Sequence, residues 1–165
     1  MSTGRILALD IGDRRIGLAI TDELNLTAQP LFTLHRTTLR ADLKSVARFI
    51  RQRGVKTLVS GLPLNADGTE SAQAGKARAF AEELREAHPE LQHHLLDERL
   101  TTREAHELLS DAGHSPRFAG RAARLERKDL IDQVAAVLLL EAFLSRESGP
   151  ALLPDPDSGA DGEPV

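Results

Sequence analysis

Three acidic residues of this 165-residue chain stand where a carboxylate is costly unless it does chemistry. Asp10 closes the apolar run that begins at Arg5, Glu98 closes a later apolar segment, and Asp132 falls inside an aliphatic helical segment. A carboxylate at the end of a buried element needs water, a hydrogen-bond donor or a cation. Mg²⁺ and Mn²⁺ prefer such oxygen ligands. The three acids therefore predict a divalent-metal site, holding two ions, that hydrolyses phosphodiester bonds.

Each of these acids also has an ordinary structural interpretation. Asp10 precedes an Ile-Gly pair and can initiate a turn, and Glu98 can be a surface charge at a strand end. Asp132 can be the N3 residue of a capping box whose N-cap is Asp129. Capping and metal binding are compatible, because both place negative charge at a helix N-terminus. The residues alone leave these alternatives open.

Polar residues near the acids are candidates for holding a substrate. Thr101 begins a capping box with Glu104, and the adjacent Thr102 and the first free N–H groups of that helix can hold a phosphate. A turn-rich loop at residues 61–71 follows a strand, which is where open α/β sheets bind ligands, and Asn65 is its candidate contact. The basic residues before the last acid form a candidate clamp: Arg117, Arg121, Arg124, Arg127 and Lys128.

The net charge of −4 is unevenly distributed. Residues 147–165 carry five acidic residues and no basic one, and the rest of the chain holds 21 basic against 20 acidic residues. Residues 1–53 and 114–128 each carry an excess of four positive charges, enough to attract phosphates locally. The composition is therefore compatible with a nucleic-acid partner. A basic stripe on the first helix (Arg40, Lys44, Arg48 and Arg51) is more typical of a solvated face.

Composition excludes several other classes of site. The chain has no cysteine, so disulfides and cysteine-ligated metals are excluded, and a reducing cytosol is expected. The six histidines lack the spacing of a zinc site. The longest apolar run, residues 134–140, is too short to span a bilayer, and the N-terminus lacks a signal-peptide pattern. We expect a soluble cytoplasmic protein without a membrane partner.

The order of elements predicts how the acids are positioned. Strands ending near Asp10 and starting near Arg15 are too close for a crossover helix, so they must be antiparallel. A third strand and then alternating helices and strands complete an α/β fold, a mixed five-stranded sheet flanked by helices. The later elements are a strand at 29–35, a helix ending at Gly54, a strand at 56–63, a helix around 77–84, a strand at 91–98 and helices at 103–112 and 129–145. Residues 1–146 form one domain, 113–127 a mobile loop within it, and 147–165 a disordered acidic tail.

Four stretches together resemble the YqgF family of bacterial proteins, also called RuvX. They are LALDIGDRRIGLAITD at 7–22, SGLPLNADGTES at 60–71, LLDERLTTREA at 95–105 and KDLIDQVAAVLLLEAFL at 128–144. The family is described as Holliday-junction resolvases and as nucleases that mature the 5′ end of pre-16S ribosomal RNA. The resemblance implies an RNase H-like fold and makes Asp10, Glu98 and Asp132 the acidic metal-binding triad. It also implies that the 61–71 loop and the two threonines line the site.

The resulting prediction is a metal-dependent nuclease that matures pre-16S rRNA and binds RNA, or branched or single-stranded DNA. One alternative is a Holliday-junction resolvase, which cuts two strands symmetrically and is therefore expected to be a homodimer. Another is a phosphotransferase half-domain, because Asp10-Ile-Gly12 before a hairpin resembles the phosphate loop of the actin and sugar-kinase group. A third is a non-catalytic adaptor that binds RNA or protein.

Overall fold

Five strands form one mixed sheet in the order β3-β2-β1-β4-β5. The computed structural model describes residues 4–65, 67–97, 118, 120 and 125–146. The strands are β1 (Arg5–Ile11), β2 (Arg15–Thr21), β3 (Ala28–His35), β4 (Val55–Leu62) and β5 (Gln92–Asp97). β2 pairs antiparallel with both β1 and β3, whereas β4 pairs parallel with both β1 and β5. The predicted meander and mixed five-stranded sheet are confirmed.

In the part of the chain that the structure describes, three helices flank this sheet: α1 (Leu39–Arg53), α2 (Ala72–Ala87) and α3 (Arg127–Arg146). Thr38 caps α1 by accepting from the Ala41 N–H, and the helix ends at Gly54, whose φ of 64° is left-handed. The helix predicted at 103–112, most of the predicted loop at 113–127 and the tail at 147–165 lie outside the described residues. In the described ranges, no helix is long and apolar enough to cross a membrane.

The two faces of the sheet have separate cores. α1 and α2 bury Val46, Ile50 and Phe80 against alternate residues of the strands, such as Leu7 and Leu9. α3 covers the opposite face through a second cluster. That cluster includes Ile6, Ala8, Ala19, Val59, Leu96, Val134, Val137 and Phe143. Phe118, which falls within the predicted mobile loop, is also fully buried there.

The α3 face is lined by small residues where the helix crosses the sheet. A Cβ atom added at Gly17 would overlap the carbonyl oxygen of Asp132, so the helix backbone rests directly on β2 at this point. Only glycine permits this approach. The sequence of β2 therefore sets where α3 sits, and with it the position of Asp132.

The predicted capping box of α3 is wrong. The helix begins at Arg127, and the Glu126 carbonyl accepts from the Leu130 N–H at 3.0 Å, so Asp129 lies in the first turn rather than at the N-cap. Asp132 is consequently too far along the helix to cap it. Its carboxylate bonds instead to Arg15 of β2, a charge-assisted partner available only in the tertiary structure.

Candidate active site

Asp10 lies at the carboxyl end of β1, directly opposite Gly17 of β2. Since side chains alternate along a strand, Asp10 shares the face of Ile6 and Ala8, which is the face that α3 covers. Its half-buried side chain therefore points toward the side on which Asp132 arrives.

Asp132 lies on α3 above Gly17, the residue opposite Asp10. Its side chain retains 18% of its exposure. Burial raises the pKa of the Asp132 carboxyl, the hydrogen bond and charge of Arg15 oppose the rise, and the charges of Asp10 and Asp129 add to it. The structure thus brings Asp10 and Asp132 close enough for their charges to interact.

Arg15 is a member of this site that the sequence interpretation missed. Its Nε donates to Oδ2 of Asp132 at 2.6 Å, and this bond raises the pKa of the guanidinium. A signal was available in the sequence. Once the tight hairpin pairs Asp10 with Gly17, strand alternation places Arg15 on the same face as Gly17.

A second carboxylate of α3, also missed as part of the site, lies one turn before Asp132. Asp129 Oδ2 is 3.0 Å from Nε2 of His35, and the Asp129 carbonyl accepts from Thr33 Oγ1 at 2.7 Å. The side-chain amide of Gln133 donates to the same hydroxyl at 3.1 Å. Asp129 Oδ1 is buried and has no hydrogen-bond partner among the residues that the structure describes. These contacts fasten the start of α3 to the edge strand β3.

The loop after β4 is held by its own hydrogen bonds. Asn65 donates from its side-chain amide to Thr69 Oγ1 at 3.0 Å and from its N–H to the Thr69 carbonyl at 2.8 Å. Asp67 accepts from the N–H and hydroxyl of the same threonine. Ser71 closes the loop by donating to the Pro63 carbonyl and caps α2. Asn65 therefore braces the loop.

Residues 4–146 match a family model described as "RuvX: Holliday junction resolvase". The chain belongs to the RuvX family. Proteins named "Putative pre-16S rRNA nuclease" are similar along most of their length. The protein from Koribacter versatilis is 44% identical, in an alignment that covers 87% of this chain and 88% of that protein. The protein from Moorella thermoacetica is 43% identical, in an alignment that covers 86% of this chain and 95% of that protein.

Solved structures agree with this RuvX assignment at the level of the fold. Thermus thermophilus RuvC bound to a Holliday junction gives a TM-score of 0.59 at 13% identity, covering 91% of this chain and 99% of that one. The fowlpox virus resolvase in complex with Holliday-junction DNA gives a TM-score of 0.56 at 12% identity, covering 86% of this chain and 97% of that one. The RNase H-like fold that the sequence resemblance implied is confirmed.

Several predicted site residues of this RuvX protein lie outside the described residues: Glu98, Thr101, Thr102, Arg117, Arg121 and Arg124. Lys128 is described and is exposed in the first turn of α3. Within the described ranges, no three acidic, histidine or cysteine side chains form a metal-binding group. The structure therefore supplies two of the three predicted ligands at one place.

The two carboxylates that are present suit a hard divalent cation. Asp10 and Asp132 offer oxygen ligands, which Mg²⁺ and Mn²⁺ prefer. The pKa of Asp132 is raised by burial and by neighbouring negative charge, so a cation placed there would relieve repulsion that the folded chain now bears. The hydrogen bond and the charge of Arg15 oppose this rise.

Proposed function

We propose that this RuvX-family protein is a divalent-metal-dependent nuclease that hydrolyses phosphodiester bonds during 5′-end maturation of pre-16S rRNA. The observation that carries the proposal is the placement of Asp132 over Gly17, beside Asp10. Family membership and the names of relatives above 40% identity support the nuclease assignment and the rRNA substrate.

In this proposal Asp10, Glu98 and Asp132 hold Mg²⁺ or Mn²⁺, as a pair of ions. Glu98 directly follows β5, and β1, β4 and β5 are parallel, so their carboxyl ends share one edge of the sheet. Bound there, such ions would supply activation of a water molecule and stabilisation of the charge on the scissile phosphate and the leaving oxygen. The chain's own contribution is to fix the carboxylates on rigid elements before substrate arrives.

The remaining predicted residues hold the substrate in this proposal. Lys128 is exposed in the first turn of α3, where its positive charge can meet a phosphate that flanks the cut. Arg117, Arg121 and Arg124 extend the same basic segment, and Thr101 and Thr102 contribute hydroxyl groups. Asn65 has an indirect part, because its side chain shapes the 61–71 loop.

Cleavage of a defined RNA tests the proposal. The purified protein is incubated with a pre-16S fragment that carries the 5′ leader, in Mg²⁺, Mn²⁺ or EDTA, and the new 5′ ends are mapped. We expect cleavage only with metal, and a loss on the order of a thousandfold in Asp10→Asn because a ligand is removed. Asp13→Asn is the matched control. Asp13 is exposed in the adjacent hairpin and pairs with Lys76.

Wild-type cleavage by Asp10→Asn would refute the assignment of this site. In cells, depletion of the protein should extend the 5′ ends of 16S rRNA, and expression of wild-type protein, but not Asp10→Asn, should restore them. Normal 5′ ends of 16S rRNA after depletion would show that this rRNA is not the substrate. The proposed nuclease chemistry would then apply to another nucleic acid.

A Holliday-junction resolvase is the second candidate, favoured by the family description and by the fold shared with two resolvases that were solved with junction DNA. It requires paired, symmetric cuts in a four-way junction and a dimer in solution. Measuring both the products and the mass on the same preparation separates it from an rRNA nuclease. If the protein is a monomer and cuts the RNA but not the four-way junction, the resolvase function is excluded.

A further inference from the structure

Arg15 is held through one nitrogen and keeps the rest of its guanidinium available. A guanidinium has five N–H donors, and the described part of the chain engages only that of Nε, in the 2.6 Å bond to Asp132. Among the described residues, Nη1 and Nη2 have no hydrogen-bond partner. The side chain is 27% exposed, so these nitrogens are within reach of a ligand from solvent.

A second half-buried arginine, Arg36, shows what a structural guanidinium looks like in this fold. Arg36 donates from Nε to Asp42 and from Nη1 to the Gly12 carbonyl, at 3.0 and 2.9 Å. Its plane also lies over the ring of Phe80, 4.9 Å from the centroid. Packing and hydrogen bonds satisfy Arg36 on several sides, whereas Arg15 has a single anchoring bond.

The anchoring bond also gives the guanidinium a fixed direction. A carboxylate that holds Nε removes much of the rotational freedom of the head group, so less entropy is lost when the two η nitrogens bind something else. A planar fork with two open N–H₂ groups matches the paired oxygens of a phosphate. The nearby acids, Asp129 and Glu126, stabilise the positive charge without contacting it by hydrogen bonds.

We propose that Arg15 is a substrate-binding residue that donates from Nη1 and Nη2 to a backbone phosphate of the nucleic acid, with Asp132 holding its Nε. The inference rests on the proposed function for its choice of a nucleic-acid ligand. Asp132 would then serve both the arginine, which it holds through Oδ2, and the proposed metal site. A nucleic-acid strand bound at Arg15 then crosses the edge of the β-sheet beside Asp10.

Binding without catalysis tests this contact. The affinity for a single-stranded RNA spanning the 5′ end of 16S rRNA is measured by fluorescence anisotropy in EDTA, at several KCl concentrations. We expect Arg15→Gln to weaken binding by about 10- to 100-fold, the range for a charge-assisted hydrogen-bonded pair. It should also reduce the slope of log K against log salt by about 0.7, the value for one phosphate contact on a single strand.

Two further variants separate fork geometry from charge. Arg15→Lys keeps the charge and loses the fork, so we expect it to retain most of the salt slope while binding at least several-fold more weakly. Arg5→Gln is the matched control. Arg5 is also a strand arginine with one carboxylate partner, Glu23, but it lies at the other end of β1 and should leave both quantities unchanged.

The outcomes distinguish the two proposals. Unchanged affinity and salt slope in Arg15→Gln overturn the phosphate contact. If that variant cleaves poorly at unchanged affinity, Arg15 only positions Asp132, which overturns the proposal equally. A wild-type protein that shows the Arg15-dependent slope but cleaves no RNA or junction overturns the nuclease function and leaves the contact standing. Urea unfolding of each variant establishes that the binding data come from folded protein.

Discussion

Two arginine–aspartate pairs lie on opposite faces of the sheet and have different surroundings. Asp42, on α1, keeps only 3% of its side-chain exposure and accepts from Arg36 Nε and from the Thr37 N–H. Asp132, on α3, keeps 18%, accepts from Arg15 and lies near the charge of Asp10. The first pair is surrounded by donors, the second by further acids.

This difference is the one expected between a structural pair and, under the proposed function, a pair that serves the site. Around Asp42 every observed neighbour stabilises the carboxylate, and Arg36 in turn joins the hairpin to two helices through Gly12 and Phe80. Around Asp132 burial and like charges outweigh the arginine, so its pKa is raised. Folds keep such under-stabilised charges mainly where a ligand or a reaction needs them.

The largest stability effect is expected at the structural pair. Asp42→Asn leaves the Arg36 guanidinium without its counter-charge in a mostly buried position, and we expect the free energy of unfolding to fall by about 3 kcal/mol. Urea denaturation measures this fall in the free energy of unfolding. Asp13→Asn, which alters an exposed ion pair, should change it by less than about 1 kcal/mol. Equal effects at the two positions would mean that Asp42 is no more structural than a surface charge.

Gly17→Ala should have the next largest effect and joins stability to the site. The new Cβ would overlap the carbonyl oxygen of Asp132, so α3 must move away from β2. We expect a loss of about 1–3 kcal/mol, as for overpacked cores, together with reduced cleavage because Asp132 moves with the helix. Gly75→Ala is the control. Gly75 lies within α2 with open space around it, so this substitution should raise the free energy of unfolding by up to about 1 kcal/mol. A stable, fully active Gly17→Ala would show that the close approach does not position the site.

The sequence predicted the mixed five-stranded sheet, its antiparallel meander and the position of Asp10 at the end of β1, because these follow from local patterns. Short apolar runs, a hairpin too tight for a crossover and a C-terminal glycine on α1 each have one common structural solution. The acids alone suggested their chemistry, and the family resemblance selected among the alternatives. Asp10 and Asp132 then met in the structure through the register of β1 with β2 and the contact at Gly17.

The errors have the opposite origin, because they concern partners distant in the sequence. Asp129 and Asp132 fit a capping box by spacing, yet their partners are His35 and Arg15, about a hundred residues earlier in the chain. A local sequence pattern cannot show that an arginine on a strand pairs with a carboxylate on a helix that lies far along the chain. Arg15 was missed for the same reason. Its importance depends on which helix covers its face of the sheet.

Asp132→Asn is expected to have the smallest effect on stability and the opposite sign to Asp42→Asn. Without divalent metal at neutral pH, the buried charge of Asp132 is unfavourable in the folded state, since its pKa is raised. An uncharged amide of the same shape should therefore increase the free energy of unfolding by about 0.5–1 kcal/mol, while cleavage is lost. Urea denaturation in EDTA gives the first quantity and the RNA assay the second.

The pH dependence of this gain identifies its cause. Below the ordinary pKa of 3.8, Asp132 is protonated in both states and costs nothing. As the pH rises, the unfolded chain ionises first, so wild-type stability falls until the pH passes the raised pKa and then levels off. The difference between Asp132→Asn and wild type should accordingly widen from acid toward neutral pH. A difference that instead grows as the pH falls would mean that the bond to Arg15 outweighs burial, and Asp132 would then resemble Asp42, a carboxylate stabilised by its arginine.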